Sequence, residues 1–285
     1  MDQTFIVRPL LESDLNFAAE CTANEGWASE TRTEFEGFFA HDPNGCLVAE
    51  AAGQRAGICV ATPYGAAGFI GELIVAEGWR GHGIGRRLME RAIRHLHGRG
   101  VQRVFLDGVP LAVPLYERLG FRKIARSLRF AGTMAGAAHR AVRPMKAEDL
   151  PAVLELDCEA FGAGRGFFLH RRLSLYPELS KVLQCRGQVV GFILGRRGPD
   201  WVAAGPWVVG PGVEDPTPLL QSFALAAEGV TMGVGVLETN TAAIQILASC
   251  GLAERPACPW RMVLGSEGRF GTSNQLYAIG SAAKG

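Results

Sequence analysis

Val75-Ala-Glu-Gly-Trp-Arg80-Gly-His-Gly83-Ile-Gly85-Arg-Arg-Leu88 is the stretch of sequence that decides the fold. The apolar residues before it predict a strand, and the periodic apolar positions after it predict a helix from about Gly85 to Arg99. Three alternating glycines leave backbone N–H groups uncovered at the start of this helix, where the helix dipole favours anions. Arginines on both sides of the turn add positive charge. We therefore predict that the turn binds a diphosphate group.

Three kinds of nucleotide site could account for this sequence, and an ordinary glycine-rich turn without a ligand is the fourth possibility. A P-loop needs a lysine and a hydroxyl residue after its last glycine, but two arginines follow Gly85. A dinucleotide site needs a glycine in place of Leu88, although Asp107 lies at the right distance for a ribose contact. The pattern Arg-x-x-Gly-x-Gly, which begins at Arg80, is typical of an acyl-CoA site. We favour this third interpretation.

Length and composition limit the class of protein. A chain of 285 residues, 48% hydrophobic and 20% charged, is ordered and long enough for about two domains. The net charge of +1 lacks the basic excess typical of nucleic-acid binding. No apolar run approaches a membrane span, the histidines show no metal spacing, and the seven cysteines form no C-x-x-C pair. We expect a cytoplasmic protein that binds neither metal, nucleic acid nor membrane.

The chain repeats itself at an offset of 134 to 135 residues. The matching segments are Val7-Arg8-Pro9 with Val142-Arg143-Pro144, Gly53-Gln54 with Gly187-Gln188, and Gly71 to Val75 with Gly205 to Val209. Three matches at one offset indicate two copies of one fold. We place copy one at residues 1–133 and copy two at residues 140–285, joined near the small, glycine- and alanine-rich stretch from Ala131 to Ala141.

The order of elements in copy one is predicted as β-α-α-β-β-β-α-β-α-β-β, with a closing strand pair over residues 121–130. A uniformly parallel sheet would need a helix between every two strands, and two of these hairpins have none. The sequence therefore predicts an α/β fold with a sheet of mixed direction.

Copy one resembles the GNAT superfamily of acyl-CoA-dependent N-acetyltransferases. The motifs that carry the resemblance are Leu73-Ile-Val75, Arg80-Gly-His-Gly83-Ile-Gly85 and Leu115-Tyr116-Glu-Arg-Leu-Gly120-Phe121. The whole chain is similar to tandem GNAT proteins, in which an intact N-terminal copy precedes a diverged one. The resemblance implies two domains, each with a mixed, mainly antiparallel twisted sheet flanked by helices.

The resemblance also implies roles for these motifs. Backbone amides from about Gly81 to Arg86 bind the diphosphate of acetyl-CoA or another acyl-CoA, and Leu73 to Val75 pair with its pantetheine arm. Tyr116 supplies a phenol near the thioester sulfur, where it is a plausible proton donor. The cofactor-binding set is Leu73, Val75, Arg80, Gly81, His82, Gly83, Ile84, Gly85 and Arg86. The family often has Asn seven residues before this tyrosine, where this chain has Val109.

Further residues are candidates for binding and activating the acceptor. Glu72 interrupts an apolar strand and is a candidate general base, but strand alternation places it on the face opposite Leu73 and Val75. A paired structural carboxylate is the alternative role. Glu25 and Trp27 lie in the loop where GNAT proteins shape the acceptor pocket, so we predict that they bind substrate.

The resemblance implies transfer of an acetyl group to an amine of a small molecule or peptide. We predict direct transfer, as the resemblance implies, and because no cysteine lies in either motif to carry the acyl group. A backbone N–H near Val75 would stabilise the oxyanion. The alternative function is that of a non-catalytic acyl-CoA-binding sensor.

Copy two lacks the features that bind and process an acyl-CoA. The offset of 134 puts Glu214, Asp215, Pro216 and Pro218 in the place of the glycine turn. Near the end of the copy, Gly251 matches Gly120 at an offset of 131, which puts Leu247 in the place of Tyr116. Acidic residues repel phosphate and prolines lack the N–H donor, so we predict a degenerate copy. Three roles stay open for it, namely a wall of the acceptor pocket, a homodimer contact and an effector site. Its final segment, 275–280, predicts one extra strand that could cross between the copies.

Overall fold

The computed structural model describes residues 5–27, 30–198, 200–256, 258–266, 268 and 270–285. In copy one the elements are β1 (Phe5–Pro9), α1 (Leu15–Asn24), α2 (Arg32–His41), β2 (Cys46–Ala51), β3 (Gln54–Tyr64), β4 (Ala67–Val75), α3 (Ile84–Gly98), β5 (Arg103–Gly108), α4 (Val113–Arg118) and β6 (Arg122–Gly132). In copy two they are β7 (Val142–Pro144), α5 (Leu150–Phe161), α6 (Gly166–Leu175), β8 (Lys181–Cys185), β9 (Gln188–Arg197), β10 (Trp201–Val209), α7 (Thr217–Ala226), β11 (Thr231–Leu237), α8 (Thr241–Ser249), β12 (Ala253–Glu254), β13 (Trp260–Leu264) and β14 (Leu276–Ala278).

The strands form one continuous sheet in the order β1-β2-β3-β4-β5-β13-β6-β11-β10-β9-β8-β7. Beside this path, β12 pairs with β6 and β14 pairs with β10. Two pairs, β4 with β5 and β10 with β11, are parallel, and the other described pairs are antiparallel. This confirms the predicted α/β fold with a mixed, mainly antiparallel sheet.

The repeat is visible in matching ion pairs at the start of each copy. In copy one, Arg8 Nη1 donates to Asp14 Oδ2 over 2.7 Å. In copy two, Arg143 Nη1 donates to Asp149 Oδ2 over the same distance. Each pair ties the first strand to the start of the first helix, so both copies begin with the same local structure.

The two copies exchange strands where they meet. The predicted closing strand pair of copy one is wrong, because residues 122–132 form the single strand β6. The first half of β6 pairs with β13 and its second half pairs with β11, both from copy two. Strand β13 also pairs with β5, so copy two supplies the strand that completes the sheet of copy one. The periodicity of a segment does not indicate which sheet edge its strand joins. The exchange of strands therefore cannot be predicted from local sequence.

Apolar contacts fix both the helices and the junction. On α3, Leu88, Ala92 and Leu96 form a fully buried stripe against the sheet, as the helical periodicity predicts. Another core is shared by the copies, since Phe38 of α2 packs edge to face on Phe168 of α6 with ring centroids 5.8 Å apart. The junction is thus packed like a domain interior.

Among the residues that the structure describes, no helix combines the length and apolar character needed to cross a membrane. The described part of the chain also contains no group of three or more His, Cys, Asp or Glu side chains that could hold a metal ion.

Candidate active site

A cavity of about 540 Å³ lies where β4 and β5 separate. The two strands pair only as far as Phe69 and Phe105. Beyond that point β4 follows β3 and β5 follows β13, so the two strands diverge and leave an opening between them. Leu73 and Tyr116 line this opening from copy one, and residues of β10 and β11 close it from copy two. Both copies therefore build the cavity.

A bulge in β4 shapes one wall of the cavity. Across the β3–β4 ladder, Gly71 pairs with Val60 and Ile74 pairs with Ile58, so Glu72 and Leu73 together oppose one residue. Glu72 has a positive φ of 52°, which few residues other than glycine adopt. Bulges of this kind turn side chains and backbone groups away from the regular ladder. Here the bulge lies beside the cavity and takes two residues of β4 out of register.

The bulge also decides which way the candidate residues of β4 face. Leu73 and Val75 pack on the side of α3, whereas Ile74 packs against α1 and α2. Glu72 lies within the electrostatic reach of Glu30, Arg196 and Lys284.

The glycine turn exposes a row of unpaired backbone donors. Gly81 and Gly83 have φ values of +83° and +82°, and each would be strained with a side chain. The first helical bond of α3 runs from Arg87 N to Gly83 O. No described group accepts a hydrogen bond from the amides of residues 81–86. These six amides, at the positive end of a 15-residue helix, suit an anion.

Arg80, at the start of the glycine turn, contacts both the end of β4 and the loop after α1. Arg80 Nε donates to the carbonyl of Val75 over 2.9 Å, and its Nη2 pairs with Glu25. Glu25 thus lies at the glycine turn, while its predicted companion Trp27 lines the cavity. Arg80 thus joins the end of β4 to the loop after α1.

The other polar side chains of the turn point along its surface. Arg86 Nε donates to Glu90 Oε1 over 2.8 Å, one turn further along α3. His82 Nδ1 lies 3.0 Å from the carbonyl of Arg80, and its ring packs edge to face near Trp79. Exposed pairs of this kind are worth less than about 1 kcal/mol and can be broken when a ligand binds.

Tyr116 lies at the inner end of the cavity. It is only 6% exposed, and its ring packs so closely on Gly108 that a Cβ there would be 2.8 Å from the ring. Burial raises the pKa of its phenol above the ordinary value, so the hydroxyl keeps its proton at neutral pH. No described residue accepts or donates a hydrogen bond at this hydroxyl, which is therefore available to a ligand.

Glu72 is a buried carboxyl group without a hydrogen bond. It lines the cavity, and its Oε2 has no hydrogen-bond partner in the described structure. Burial, and then the negative charge of Glu30, raise its pKa to about 8. A carboxyl group poised near neutral pH in a cavity can accept a proton from a substrate.

A cluster of charged residues, which sequence patterns did not single out, lies behind Glu72 at the junction of the copies. Its members are Glu30 and Glu34 from copy one and Arg172, Arg196 and Lys284 from copy two. The closest contacts are Arg196 Nη1 to Glu30 Oε1 at 2.6 Å and Lys284 Nζ to Glu34 Oε2 at 2.5 Å. Arg196 and Arg197 together end the apolar strand β9, so the sequence carries no signal that singles out Arg196.

Asp107, the candidate for a ribose contact, has another role. Its carboxylate accepts from Arg261 Nε over 2.5 Å, from Ser127 Oγ over 2.7 Å and from Arg129 Nη2 over 3.0 Å. The two arginines hold the pKa of this buried carboxyl below its usual range. Asp107 joins β5, β6 and β13, and its oxygens are already used by the protein.

In copy two, the helix that follows the turn is capped by the protein itself. Asp215 Oδ1 accepts a hydrogen bond from the amide of Thr217 over 3.0 Å, at the start of α7. Pro216 and Pro218 have no N–H to offer. A carboxylate thus lies where copy one has unpaired amides, and it would repel a phosphate.

The opening between β10 and β11 of copy two is filled by β14. Strand β14 pairs with Trp207 and Val208, which match Leu73 and Ile74 of copy one. On the other side, Ile279 N donates to the carbonyl of Gly235 in β11. The predicted extra strand therefore exists, but it stays within copy two. The chain after it crosses to copy one instead, where Ala283 packs on Gly71 of β4.

Asn240 holds this filling strand in place. Its Nδ2 donates to the carbonyls of Asn274 and Leu276 over 3.0 and 3.1 Å, and its Oδ1 caps α8 at Ala243 N. The resemblance assigns pantetheine to the corresponding place in copy one. In copy two, the chain's own backbone takes that place.

Comparison with known proteins agrees with this geometry. Residues 12–121 match the acetyltransferase (GNAT) family, and residues 153–278 match a further acetyltransferase (GNAT) domain. A curated relative, glucosamine 6-phosphate N-acetyltransferase from Trypanosoma brucei brucei, is 31% identical over 97 residues. That match covers 32% of this chain and 61% of the relative.

Two solved structures resemble the whole chain. A putative acetyltransferase from Pyrococcus horikoshii superposes with a TM-score of 0.81 at 22% identity, over 99% of this chain and 96% of that one. A tandem GNAT protein from the clavulanic acid biosynthesis pathway has a TM-score of 0.62 at 15% identity, over 93% of this chain and all of the other. At these identities the likeness concerns the fold.

Proposed function

The chain belongs to the GNAT family of acetyltransferases, and we propose that copy one transfers an acetyl group from acetyl-CoA directly to an amine. One observation carries this proposal: β4 lines a cavity that contains Tyr116 and Glu72, and it leads directly into a row of amides without a described hydrogen-bond partner. GNAT enzymes use acetyl-CoA as co-substrate, and it supplies the activated acyl group.

The residues of the turn fit the diphosphate of this co-substrate. The turn offers six successive amides, and two of its residues are glycines with a positive φ. Such a run of amides makes a concave anion site that needs no lysine. Arg86 lies exposed next to the amides and adds a cation. Leu73 and Val75 face the same side of β4 as the turn, so they would hold the arm that connects the diphosphate to the thioester.

The reaction needs two proton transfers, for which the cavity offers two groups. The amine nitrogen forms a bond to the acyl carbon while the carbon–sulfur bond breaks. Glu72 accepts the proton that the amine loses, and Tyr116 gives its proton to the departing thiolate. A backbone N–H of β4 near Val75 stabilises the oxyanion.

Of the roles left open for copy two, we propose that residues 140–285 form a wall of the acceptor cavity of copy one, residues 1–133. Residues from β10 and β11 line this cavity, which supports the proposal. We propose a small-molecule amine as acceptor, as in the similar sugar-amine acetyltransferase from Trypanosoma brucei brucei.

The test measures CoA release by the full chain with acetyl-CoA and a set of amines. Tyr116→Phe should lower kcat about 100-fold, because the variant loses its proton donor, while the Kd for CoA stays unchanged. A non-catalytic sensor would bind CoA and show no turnover with any amine. Unchanged kcat in Tyr116→Phe would exclude the proposed proton donor.

A further inference from the structure

We propose that copy two supplies an anion-binding subsite, centred on Arg196, to the acceptor cavity of copy one, so that the acceptor is an amine that also carries a carboxylate or a phosphate. The inference rests on the proposed function, since it concerns the acceptor of that reaction. It starts from the position of Arg196, a residue of β9 that lines the cavity beside Glu72.

The guanidinium of Arg196 is buried but only partly used. The residue is 5% exposed, and Nη1 donates to Glu30 Oε1 over 2.6 Å. Its Nε has no hydrogen-bond partner in the described structure. A guanidinium has five N–H donors, and buried donors are almost always paired. Because this residue lines the cavity, we assign its unused donors to an anion bound there.

The charges around Arg196 leave one cation without a counter-ion. Among the described residues, three cations, Arg172, Arg196 and Lys284, face two carboxylates, Glu30 and Glu34. Glu72 would be the third carboxylate, but with its pKa raised to about 8 it is mostly protonated at neutral pH. An uncompensated buried charge is costly, so an anion in the cavity is favoured.

The other charged residues described in the cavity lining also carry a net positive charge. Asp107 lines it but is shared between Arg129 and Arg261, and Arg255 adds an exposed cation near the other end. The described lining therefore offers more positive than negative charge. A ligand with a negative group meets a complementary surface there.

The anion in question is not the diphosphate of CoA. The amides of residues 81–86 do not line this cavity, and they lie on the α3 side of β4. Arg196 instead lines the cavity and interacts with Glu72 and Glu30 at the junction of the copies. The negative group at Arg196 therefore belongs to the acceptor.

Aromatic side chains complete the subsite. The Trp201 ring lies beside the Arg196 guanidinium at 5.9 Å and lines the cavity, as does Trp27 from copy one. Aromatic walls exclude water and strengthen the attraction between a guanidinium and an anion. An acceptor held by its anion at Arg196 would bring its amine to the adjacent Glu72.

The experiment compares matched acceptors that differ only in the negative group. Amino acids are paired with their amides, and an amino sugar is paired with its phosphate, using the full chain and acetyl-CoA. The anionic member of at least one pair should have a kcat/KM about 100-fold higher than the neutral member, since a charge-assisted bidentate contact is lost in the latter. The pair that shows the preference identifies carboxylate or phosphate as the group bound.

Two variants assign this preference to Arg196. Arg196→Lys keeps the charge and a contact to Glu30 but loses the guanidinium fork, so the preference should fall about tenfold. Arg172→Lys makes the same change in the same buried cluster, at a residue that does not line the cavity, and should keep the preference. Equal rates for neutral and anionic acceptors, or an undiminished preference in Arg196→Lys, would overturn the proposal.

A binding measurement separates this proposal from the proposed function. Inorganic phosphate and acetate, added to the CoA-bound chain, should raise the Tm of wild type and of Arg172→Lys more than that of Arg196→Lys. If no amine is acetylated, the proposed function fails and this Tm difference alone decides on the subsite. Equal Tm shifts in all three proteins would then reject it.

Discussion

The two copies share their strand order but differ in what fills the opening of the sheet. In copy one, β4 and β5 separate around a cavity, and no described group accepts a hydrogen bond from the amides at the start of α3. In copy two, β14 lies beside β10 at the corresponding opening, and Asp215 caps α7. The contrast indicates that an unpaired strand edge must be satisfied either by a ligand or by the chain itself. In copy two, the backbone of β14 takes the place that we propose for a ligand in copy one.

The first way to break this comparison is at Glu72, whose counterpart in copy two is Pro206. Glu72→Gln keeps the shape of the side chain but cannot accept a proton. We expect kcat to fall about 100- to 1,000-fold, the range of general base catalysis. Steady-state assays with saturating acetyl-CoA measure this loss, and calorimetry should show unchanged CoA binding. A variant with wild-type kcat would show that Glu72 is structural.

The pH dependence of kcat/KM also tests Glu72 as the proton acceptor. Because Glu72 must be ionised to accept a proton and its pKa is raised to about 8, wild-type kcat/KM should rise about tenfold per pH unit below pH 8 and level off above it. The titratable and charged groups that face it are Glu30, Glu34, Cys59, Arg196 and Lys284. This rise of kcat/KM below pH 8 should disappear in Glu72→Gln. A rise that persists in this variant belongs to the amine substrate or to another group.

Substitution of Asn240 tests whether this residue stabilises β14 in the opening of copy two. Asn240→Ala removes the cap of α8 and two hydrogen bonds to the chain around β14, so we expect a loss of about 2 to 3 kcal/mol in the free energy of unfolding. Val109→Ala, at the matching place in copy one, should cost less than about 1 kcal/mol because Val109 is half-buried. Urea denaturation of both variants measures the difference. Equal losses would contradict the role assigned to Asn240.

Glu72 also makes stability depend on pH, in a direction that can be checked. Its carboxyl has a higher pKa in the folded chain than the ordinary value of 4.5, so the folded state binds more protons between pH 4.5 and about 8. The contribution of Glu72 to stability is therefore complete below pH 4.5 and is lost as the pH rises through 8. Glu72→Gln should become more stable relative to wild type between pH 5 and pH 9, measured by urea denaturation. A constant difference would argue against the raised pKa.

The smallest expected effect concerns Leu247, which stands where copy one has Tyr116. Leu247 is fully buried, so Leu247→Tyr should cost about 1 to 3 kcal/mol of stability through overpacking. It should leave acetyl transfer unchanged, because the opening of copy two is filled by β14. A gain in activity or a second CoA site in this variant would show that copy two is more than a wall.

Much of this architecture follows from local sequence. The glycine turn, the strand before it and the helix after it are predicted, because alternation, periodicity and glycines act over a few residues. The loss of the turn in copy two is equally visible, since Asp215 and two prolines replace its donors. These features need no knowledge of distant contacts.

The features that join the two copies could not be predicted in this way. Strand β13 has the same apolar pattern whether it completes its own sheet or that of copy one, and only the packing of both copies decides the edge. The pairing of Glu30 with Arg196 and Lys284 spans 166 and 254 residues along the chain. Glu72 is predicted as a candidate, but its electrostatic surroundings come largely from copy two.

The most direct test of the account is the stoichiometry of CoA binding, measured by titration calorimetry on the full chain. We predict one CoA per chain, with binding weakened at least about tenfold by Gly85→Pro, which removes an amide of the turn at the helix position that Pro218 has in α7. Gly85→Ala keeps that amide, and its Cβ has ordinary contacts of 3.5 and 3.7 Å, so it should bind CoA like wild type. Two CoA molecules per chain, or undiminished affinity in Gly85→Pro, would contradict the account.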